Sequence, residues 1–459
     1  VTASGSVVSG ATTTNLTISN VSSADEAAYS LAISNVLNTV TSVSAALTVV
    51  LPTEPYETAV SNLNPVAFYQ LNETADPSSG TAPAFDYAGG FNGVYGNSVQ
   101  NGFNGITGPA ADTGFPGFNN GNTAANFTAG LAGGRISVPA WNLNTNAVTL
   151  CGWINPGSSQ VSAAGLIYCR GADTVAGLSY AGVVNPNTGN YDLGYNWNND
   201  PAVWNWDSGL LPPVGQWSFV ALVVTPNAAT IYLMNANGLT SSTHIYPHVI
   251  QRFSSANTTL IGDDSLDNNN GSRTFTGAMD DVAVFNTALT GDQIANLFYT
   301  ATGVTNYAPV IGVQPQPTNA YAGQTISLSV GAGGSAPLGF QWSAAPIGSG
   351  GPYTPLANGT GANGEIISGA QSATLTIKNI AVADSLDFQV IVTNTAPGGS
   401  ATSSAATVYV TDVSPAQNIT MSAQQAAGSD WDVGAPWSDG YPASVSAVAE
   451  PGSTYEMLA

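Results

Sequence analysis

VTLCGWIN at residues 148–155 and GLIYCR at residues 165–170 are two short apolar runs, each followed by turn-forming residues. Short runs rich in β-branched and aromatic residues, set between Gly, Pro, Asn and Asp, are typical of β-strands. Such runs recur along the whole chain, and only TGDQIANLFYT at residues 290–300 has a helical spacing. The sequence therefore predicts an all-β protein.

The same two runs hold both cysteines of the chain, Cys151 and Cys169. Suppose that the runs form a hairpin around the turn at residues 156–159, with Asn155 opposite Gly165. Cys151 then lies directly opposite Cys169, a placement in which a cross-strand disulfide can form. The alternative is that both are small buried hydrophobic residues without a bond. We therefore expect either a disulfide or two buried thiols.

The composition excludes several kinds of partner. The 459 residues include 5 Lys and Arg against 27 Asp and Glu, which gives a net charge of −22. Because nucleic acid and anionic lipid are bound by clustered Lys and Arg, we expect neither partner. With 43% hydrophobic residues the chain is expected to fold, and its length predicts about three domains. No apolar run approaches the ~18 residues of a membrane span, so we expect no membrane insertion.

One part of the sequence is repeated. VVSGA and LTISNV at residues 7–21 match IISGA and LTIKNI at residues 366–380, and the alignment continues without a gap to Asn35 and Asn394. One domain type is therefore expected to occur twice.

The repeat resembles the E and F strands of the immunoglobulin superfamily, in particular its I-set, whose pattern is L-x-I-x-x-V followed by D-x-A-x-Y. DEAAY at residues 25–29 carries the second part of this pattern. The resemblance implies that Tyr29 forms a tyrosine corner, in which its hydroxyl bonds back to the main chain. It also implies that Val330 and Val390 stand at the positions of the two family cysteines.

Seven segments between residues 65 and 303 resemble, in order, the LamG or concanavalin A-like jelly roll. The resemblance implies a jelly-roll sandwich, as in large surface proteins of Verrucomicrobia-type bacteria. The segments are AFYQLNE (67–73), DYAGGFNG (86–93), ANF (125–127), VTLCGW (148–153), GQWSFVA (215–221), IYL (231–233) and FTGAMDDVAVF (275–285).

Together the two resemblances imply an all-β chain of jelly-roll and immunoglobulin-like sandwiches in four parts. The first copy of the repeat lacks the earlier strands of a sandwich, so we expect the natural chain to extend before Val1. The parts are the C-terminal part of an immunoglobulin-like domain (1–51), the jelly roll (52–305), an immunoglobulin-like domain (306–412) and the start of a further β-rich domain (413–459).

The jelly-roll family also contains glucanases, so catalysis must be considered. A retaining glycosidase needs two carboxylates about 5 Å apart. Glu73 is the only glutamate between residues 65 and 303, and the chain contains no E-x-D-x-x-E run. A Gly-x-Ser-x-Gly nucleophile motif is also missing from the sequence. We expect no enzymatic activity.

Calcium is the one cofactor that the sequence supports, because it needs six to eight oxygen ligands and no sulfur or basic ligand. The jelly-roll resemblance implies a calcium site at Asp280 and Asp281, with Glu73 and Asp86 near the same edge. The loop GDDSLDNNNG at residues 262–271 is a second candidate, through Asp263, Asp264 and Asp267. The alternative for that loop is a hairpin turn without an ion.

Aromatic and amide side chains cluster at residues 195–207. Flat rings stack on the C–H faces of sugars while amides and carboxylates bind the hydroxyls, so this cluster is a candidate carbohydrate site. The alternative is that Leu193, Tyr195 and Trp197 alternate along one buried strand face. The candidate residues are Tyr195, Trp197, Trp204, Trp206, Asn199, Asp200 and Asp207.

Two functions are consistent with these observations. The first is a structural module of a large extracellular or cell-surface protein, such as a surface layer, sheath or filament, whose partners are other copies or domains of the same protein. The second is an adhesin domain that binds extracellular polysaccharide or matrix. The sequence favours the first slightly, because every candidate site residue also has a structural interpretation.

Overall fold

The computed structural model describes residues 5–171, 174–253, 258–264, 271–412, 418–420 and 454–456. The chain divides into two compact units. The first comprises Val1–Leu289 and Leu297–Gly303, and the second comprises Thr290–Asn296 and Val304–Ala459. Most elements are short antiparallel strands with few helices, so the all-β prediction is confirmed.

Residues 5–51 form three two-stranded sheets, which pair β1 with β2, β3 with β6 and β4 with β5. The strands are β1 (Val7–Ser9), β2 (Thr17–Ser19), β3 (Ala27–Tyr29), β4 (Ala32–Ser34), β5 (Thr39–Thr41) and β6 (Ala45–Leu47).

Residues 52–303 carry the next sixteen strands and three α-helices. The helices are α1 (Pro55–Ser61), α2 (Pro201–Trp204) and α3 (Gly291–Thr302). The strands are β7 (Ala67–Tyr69), β8 (Pro83–Ala84), β9 (Gly93–Tyr95), β10 (Ala125–Phe127), β11 (Ile136–Val138), β12 (Leu143–Thr145), β13 (Val148–Pro156), β14 (Gly165–Arg170), β15 (Val175–Tyr180), β16 (Leu193–Trp197), β17 (Ser218–Thr225), β18 (Ala228–Asn235), β19 (Gly238–Ile245), β20 (Gln251–Phe253), β21 (Thr258–Ile261) and β22 (Gly277–Phe285).

These strands build a sandwich of two seven-stranded sheets. The back sheet has the order β10-β22-β13-β17-β18-β19, with β7 beside β22, and the front sheet has the order β16-β15-β14-β21-β11-β9-β8. Alternate residues of both sheets share one apolar core, because successive side chains of a strand point to opposite faces. Val148 and Leu150 of β13 and Ile167 and Cys169 of β14 all belong to this core.

The back sheet is also covered on its other face. Trp153 of β13 is fully buried there, with its ring 5.2–6.1 Å from five other aromatic rings. Side chains of β13 therefore lie in apolar layers on both faces of the back sheet. The five rings belong to Tyr56, Phe115, Phe118, Phe219 and Phe298.

The predicted hairpin between the two cysteine-bearing runs is wrong. Strand β13 pairs with β17 and β22, whereas β14 pairs with β15 and β21. The connection between β13 and β14 carries the chain from the back sheet to the front sheet, so Cys151 and Cys169 lie in different sheets. Both thiols are free and buried, which corrects the expectation of a disulfide.

The second unit holds a sandwich of its own. One sheet has the order β24-β34-β32-β27-β28 with β33 beside β32, the other has the order β25-β31-β30-β29, and β23 pairs with β26. The strands are β23 (Val310–Val313), β24 (Thr318–Tyr321), β25 (Ile326–Ser329), β26 (Gly331–Gly333), β27 (Gly339–Pro346), β28 (Thr354–Pro355), β29 (Gly359–Thr360), β30 (Ile366–Ser368), β31 (Thr374–Lys378), β32 (Leu386–Thr393), β33 (Ser400–Thr402) and β34 (Ala406–Thr411).

Trp342 is fully buried in the core of this sandwich, together with Val330 and Val390. The two valines therefore pack where the resemblance placed the family cysteines. In the predicted fourth part, β35 (Asn418–Thr420) pairs with β36 (Thr454–Glu456), and the rest of residues 413–459 lies outside the described residues.

The two copies of the repeat differ in burial. In the first copy the predicted tyrosine corner is present, because the Tyr29 hydroxyl donates to the Asp25 carbonyl at 2.7 Å. Its apolar side chains are nevertheless open to solvent, whereas the matching side chains of the second copy are buried. The exposed fractions are 47% for Leu16, 37% for Leu31 and 65% for Ile33, against 0% for Leu375, Val390 and Val392.

The cysteine correction gives a direct test. Unreduced protein that is unfolded in denaturant should take up two thiol labels per chain, because Cys151 and Cys169 are unbonded. The folded protein should take up none on the same timescale, since burial excludes the reagent and raises the pKa of Cys169 to about 11. Mass spectrometry of the labelled chain measures both numbers. If the unfolded chain takes up no label, Cys151 and Cys169 are bonded after all.

Candidate functional site

A cavity of about 240 Å³ opens on the outer face of the front sheet. Tyr168 and Arg170 alternate with core residues along β14, and Asn196 alternates with core residues along β16, so these three side chains point outward. Trp204, Asp264 and Arg273 also line the cavity.

An ion pair lies at the base of this cavity. The Arg170 guanidinium donates through Nε to Asp264 Oδ1 at 2.6 Å and through Nη2 to Asp264 Oδ2 at 2.9 Å. The side chains of Arg170 and Asp264 are only 7% and 1% exposed. Such a two-point contact fixes the orientation of both groups.

A second arginine reaches the same carboxylate from the open side. Arg273 Nη1 lies 3.2 Å from Asp264 Oδ2, and the Arg273 side chain is 38% exposed. Burial raises the pKa of Asp264, while the charges of the two arginines lower it. The carboxylate therefore has two cationic partners, one buried and one accessible.

Tyr168 supports the buried arginine. The Arg170 guanidinium carbon lies 5.0 Å from the centre of the Tyr168 ring, and Arg170 Nη2 donates to the Tyr168 hydroxyl at 3.1 Å. Burial raises the pKa of Tyr168 well above its usual range, so its hydroxyl stays protonated at neutral pH.

The gathering of arginines is notable in a chain with so few cations. The sequence has only 5 Lys and Arg. Arg170 and Arg273 contact Asp264, and Arg135 lies 3.5 Å from the neighbouring Asp263. More than half of the cationic side chains thus meet two adjacent aspartates at one place in the fold.

Asn196 offers a hydrogen-bonding group to the cavity. The residue is only 5% exposed, and its Oδ1 atom has no hydrogen-bond partner among the described residues. An unmade hydrogen bond of a buried polar atom costs about 1–3 kcal/mol, so this oxygen favours a ligand that can donate to it.

Trp204 forms the aromatic wall. It is the last residue of α2, whose first turn is capped by Asp200: Asp200 Oδ1 accepts from the Ala202 amide at 2.9 Å. The ring lies against Gly182, where an added Cβ would come within 2.6 Å of Trp204 Cε3. The close approach therefore requires glycine at this position.

The predicted aromatic cluster is divided by the fold. Trp204 and Asn199 line the cavity. Tyr195 and Trp197 are instead buried in the core, as the alternative of a strand face expected. The Tyr195 hydroxyl lies 2.9 Å from a ring nitrogen of His244 and 2.9 Å from one of His248.

The remaining predicted sugar ligands have structural contacts. Trp206 stacks on the His244 ring at 5.0 Å. Asp200 caps α2 and also accepts from the Tyr246 hydroxyl at 2.8 Å, and Asp207 accepts from the Gly209 amide in a turn. These three residues support the elements around the cavity and do not line it.

The first group of predicted calcium ligands lies elsewhere, around β22. Asp280 and Asp281 are both buried, and burial together with the mutual repulsion of the two carboxylates raises the pKa of Asp280. Asp280 Oδ2 accepts from Asn122 Nδ2 at 2.7 Å, and Asp280 Oδ1 has no partner among the described residues. An adjacent pair of buried carboxylates with an open oxygen fits a cation.

The other predicted calcium ligands are engaged by the protein. Glu73 accepts from the Phe85 amide and the Tyr95 hydroxyl, both at 2.6 Å. Asp86 accepts from four backbone amides of residues 68–91. In the loop, Asp263 and Asp264 contact arginines, and Asp267 lies outside the described residues. Within the described ranges no group of three or more His, Cys, Asp or Glu could hold a metal.

Comparison with known proteins finds a family model similar to part of the chain. Residues 130–295 match the family model Laminin_G_3, described as the concanavalin A-like lectin/glucanases superfamily. This match supports the predicted LamG-type jelly roll. A comparison with curated proteins gave no match.

Many solved structures are similar to parts of the chain. One is domain 4 of AbnA, a GH43 extracellular arabinanase from Geobacillus stearothermophilus, in complex with arabinotriose; it is 18% identical, covers 51% of this chain and 98% of that chain, and has a TM-score of 0.33. Another is the titin M3 domain, with 23% identity, 22% of this chain, 95% of that chain and a TM-score of 0.17. Among the described helices, none is long and apolar enough to span a membrane.

The cavity's ion pair yields a stability test. Asp264→Asn leaves the buried Arg170 without its counter-charge, so we expect a loss of about 3–5 kcal/mol in the free energy of unfolding. Arg273→Gln removes only the partly exposed partner and should cost less than about 1 kcal/mol. Denaturant titration of both variants measures the difference. Equal, small losses would show that the pair does not hold this part of the sheet.

Proposed function

We propose that the jelly roll is a non-catalytic carbohydrate-binding module of an extracellular protein, with the cavity on the front sheet as its binding site. The observation that carries this proposal is the combination of the Trp204 ring with oriented polar groups of Arg170, Asn196 and Arg273 in one cavity. The family match to a lectin and glucanase superfamily agrees with it.

The chemistry of the cavity suits a sugar ring. An aromatic face attracts the C–H face of a pyranose, and a few fixed polar groups then select its hydroxyls. Trp204 offers the face, Asn196 Oδ1 can accept from a hydroxyl, and Arg273 can donate to a ring or hydroxyl oxygen. Arg170 and Asn196 lie on strands β14 and β16, so these two side chains need little ordering on binding.

The carboxylates of the cavity argue for binding without catalysis. Glycoside hydrolysis uses two carboxyl groups, one of which must be free to give up a proton. Asp264 is the one carboxylate that lines the cavity among the described residues, and it is held by two arginines. It is therefore poorly placed to serve as an acid, a base or a nucleophile.

A structural role within a surface layer, sheath or filament is the second candidate. The observation that favours it is the exposure of the apolar side chains Leu16, Leu31 and Ile33 in the first repeat, which could contact another copy or domain of the same protein. The two functions are compatible, because the residues of the first repeat are not among those that line the cavity.

A glycan array with a matched pair of variants tests the binding proposal. The natural chain should bind at least one polysaccharide fragment. Trp204→Ala should weaken that binding by about 2 kcal/mol or more, roughly thirtyfold in Kd. Trp206→Ala is the control, because Trp206 stacks on His244 outside the cavity.

Equal losses in both variants would place the sugar elsewhere. No glycan binding together with ordered self-assembly would favour the structural candidate.

We also propose calcium at Asp280 and Asp281, with Asn122 beside them. A bound ion would supply the positive charge that two adjacent buried carboxylates lack, and it would thereby stabilise β22 within the back sheet. Asp281 lies in a bulge of β22 with φ +49, a backbone conformation that directs its carboxylate differently from a regular strand residue.

Calorimetric melts in chelator and in millimolar calcium test this site. An ion that binds only the folded state adds about 2.7 kcal/mol at a hundredfold excess over Kd, a rise of roughly 5 °C for the jelly roll. Asp280→Asn should abolish the rise. In chelator the same variant should melt at or above the natural chain, because it removes one of the two repelling charges. If the natural chain melts at the same temperature in chelator and in calcium, the calcium proposal is wrong.

A further inference from the structure

We infer that the sugar bound in the front-sheet cavity is acidic, and that Arg273 receives the carboxylate of a uronic acid residue. This inference rests on the proposed carbohydrate-binding function and specifies its ligand. Three observations carry it: the charge balance of the cavity, the accessibility of Arg273, and the unpartnered oxygen of Asn196.

The charge balance leaves one positive charge over. Arg170 already makes a two-point contact with Asp264 through Nε and Nη2. Arg273 adds a single longer contact of 3.2 Å to the same carboxylate. Among the described residues that line the cavity, two cations face one anion, which is a net charge of +1. The whole chain, by contrast, has a net charge of −22.

Arg273 is the arginine whose charge is accessible to a ligand. The Arg170 side chain is 7% exposed and is held between Asp264 and Tyr168, whereas the Arg273 side chain is 38% exposed. A guanidinium offers its donors in a planar fork that matches a carboxylate. Arg273 therefore has donors available to an incoming carboxylate, while Arg170 holds Asp264 in place.

The other groups of the cavity fit the rest of an acidic pyranose. The hydroxyls of such a ring can donate to Asn196 Oδ1, and the ring face can lie on Trp204. A neutral sugar would use the ring and the amide but would offer no carboxylate to the exposed donors of Arg273. A sugar with a carboxylate would contact Trp204, Asn196 and Arg273 together.

The overall charge limits how many anionic groups the ligand carries. A densely sulfated chain places several charges beside a protein of −22 and is repelled wherever no arginine faces it. A sugar ring with one carboxylate needs one accessible arginine, and Arg273 is that arginine. The ligand class is therefore a uronic acid polysaccharide and not a polysulfated one.

Isothermal titration calorimetry of the full chain tests the inference. The probes are short oligomers of galacturonate, mannuronate and glucuronate, each compared with its methyl ester, which keeps the ring and removes the charge. At least one acid oligomer should bind about tenfold or more tightly than its ester. Arg273→Gln should lower its affinity to that of the ester, and Lys378→Gln, which removes one positive charge from the other unit, should change nothing.

The outcomes separate this inference from the proposed function. Binding of neutral or esterified sugars at the affinity of the acids, sensitive to Trp204→Ala, would overturn the acidic ligand and leave the carbohydrate-binding function standing. Binding to none of the acidic, esterified or neutral sugars would overturn both. Acid binding that survives Arg273→Gln would also overturn the assignment of Arg273.

Discussion

The ion pair between Arg170 and Asp264 is the interaction on which the candidate site depends. It lies on the outer face of a sheet, yet both side chains are almost wholly buried. Removing two charges from water is costly unless their geometry is close to ideal, and here two short parallel hydrogen bonds supply that geometry. The pair fixes the floor of the cavity and lets a second arginine approach the same carboxylate.

The two faces of the sandwich explain why the cavity forms on the front sheet. The back sheet has apolar side chains on both faces, because Trp153 and its aromatic neighbours cover the side away from the shared core. Strand β14 of the front sheet alternates instead between core residues and the polar pair Tyr168 and Arg170. The outer face of the front sheet is therefore where polar groups gather beside an aromatic wall.

Strand patterning in the sequence was sufficient for the all-β class, and the jelly-roll resemblance agrees with the family match at residues 130–295. The pairing of strands was not predictable, because a run and its neighbour in sequence join different sheets in this topology. That is why Cys151 and Cys169 do not meet.

Side chains alternate between the two faces of a strand, and this alternation correctly gave burial as the alternative for Tyr195 and Trp197. Arg170, Asp264 and Arg273 meet only in the folded chain, so sequence analysis missed both arginines and gave Asp264 a different role. The rarity of cations in the sequence was the one signal that could have pointed to them.

The proposal that the front-sheet cavity binds a sugar is tested most directly by a crystal structure of the chain with a bound oligosaccharide. We expect a sugar ring stacked on Trp204, with its polar groups in contact with Asn196 and Arg273. A sugar bound away from this cavity, with Trp204 and Arg273 untouched, would contradict it.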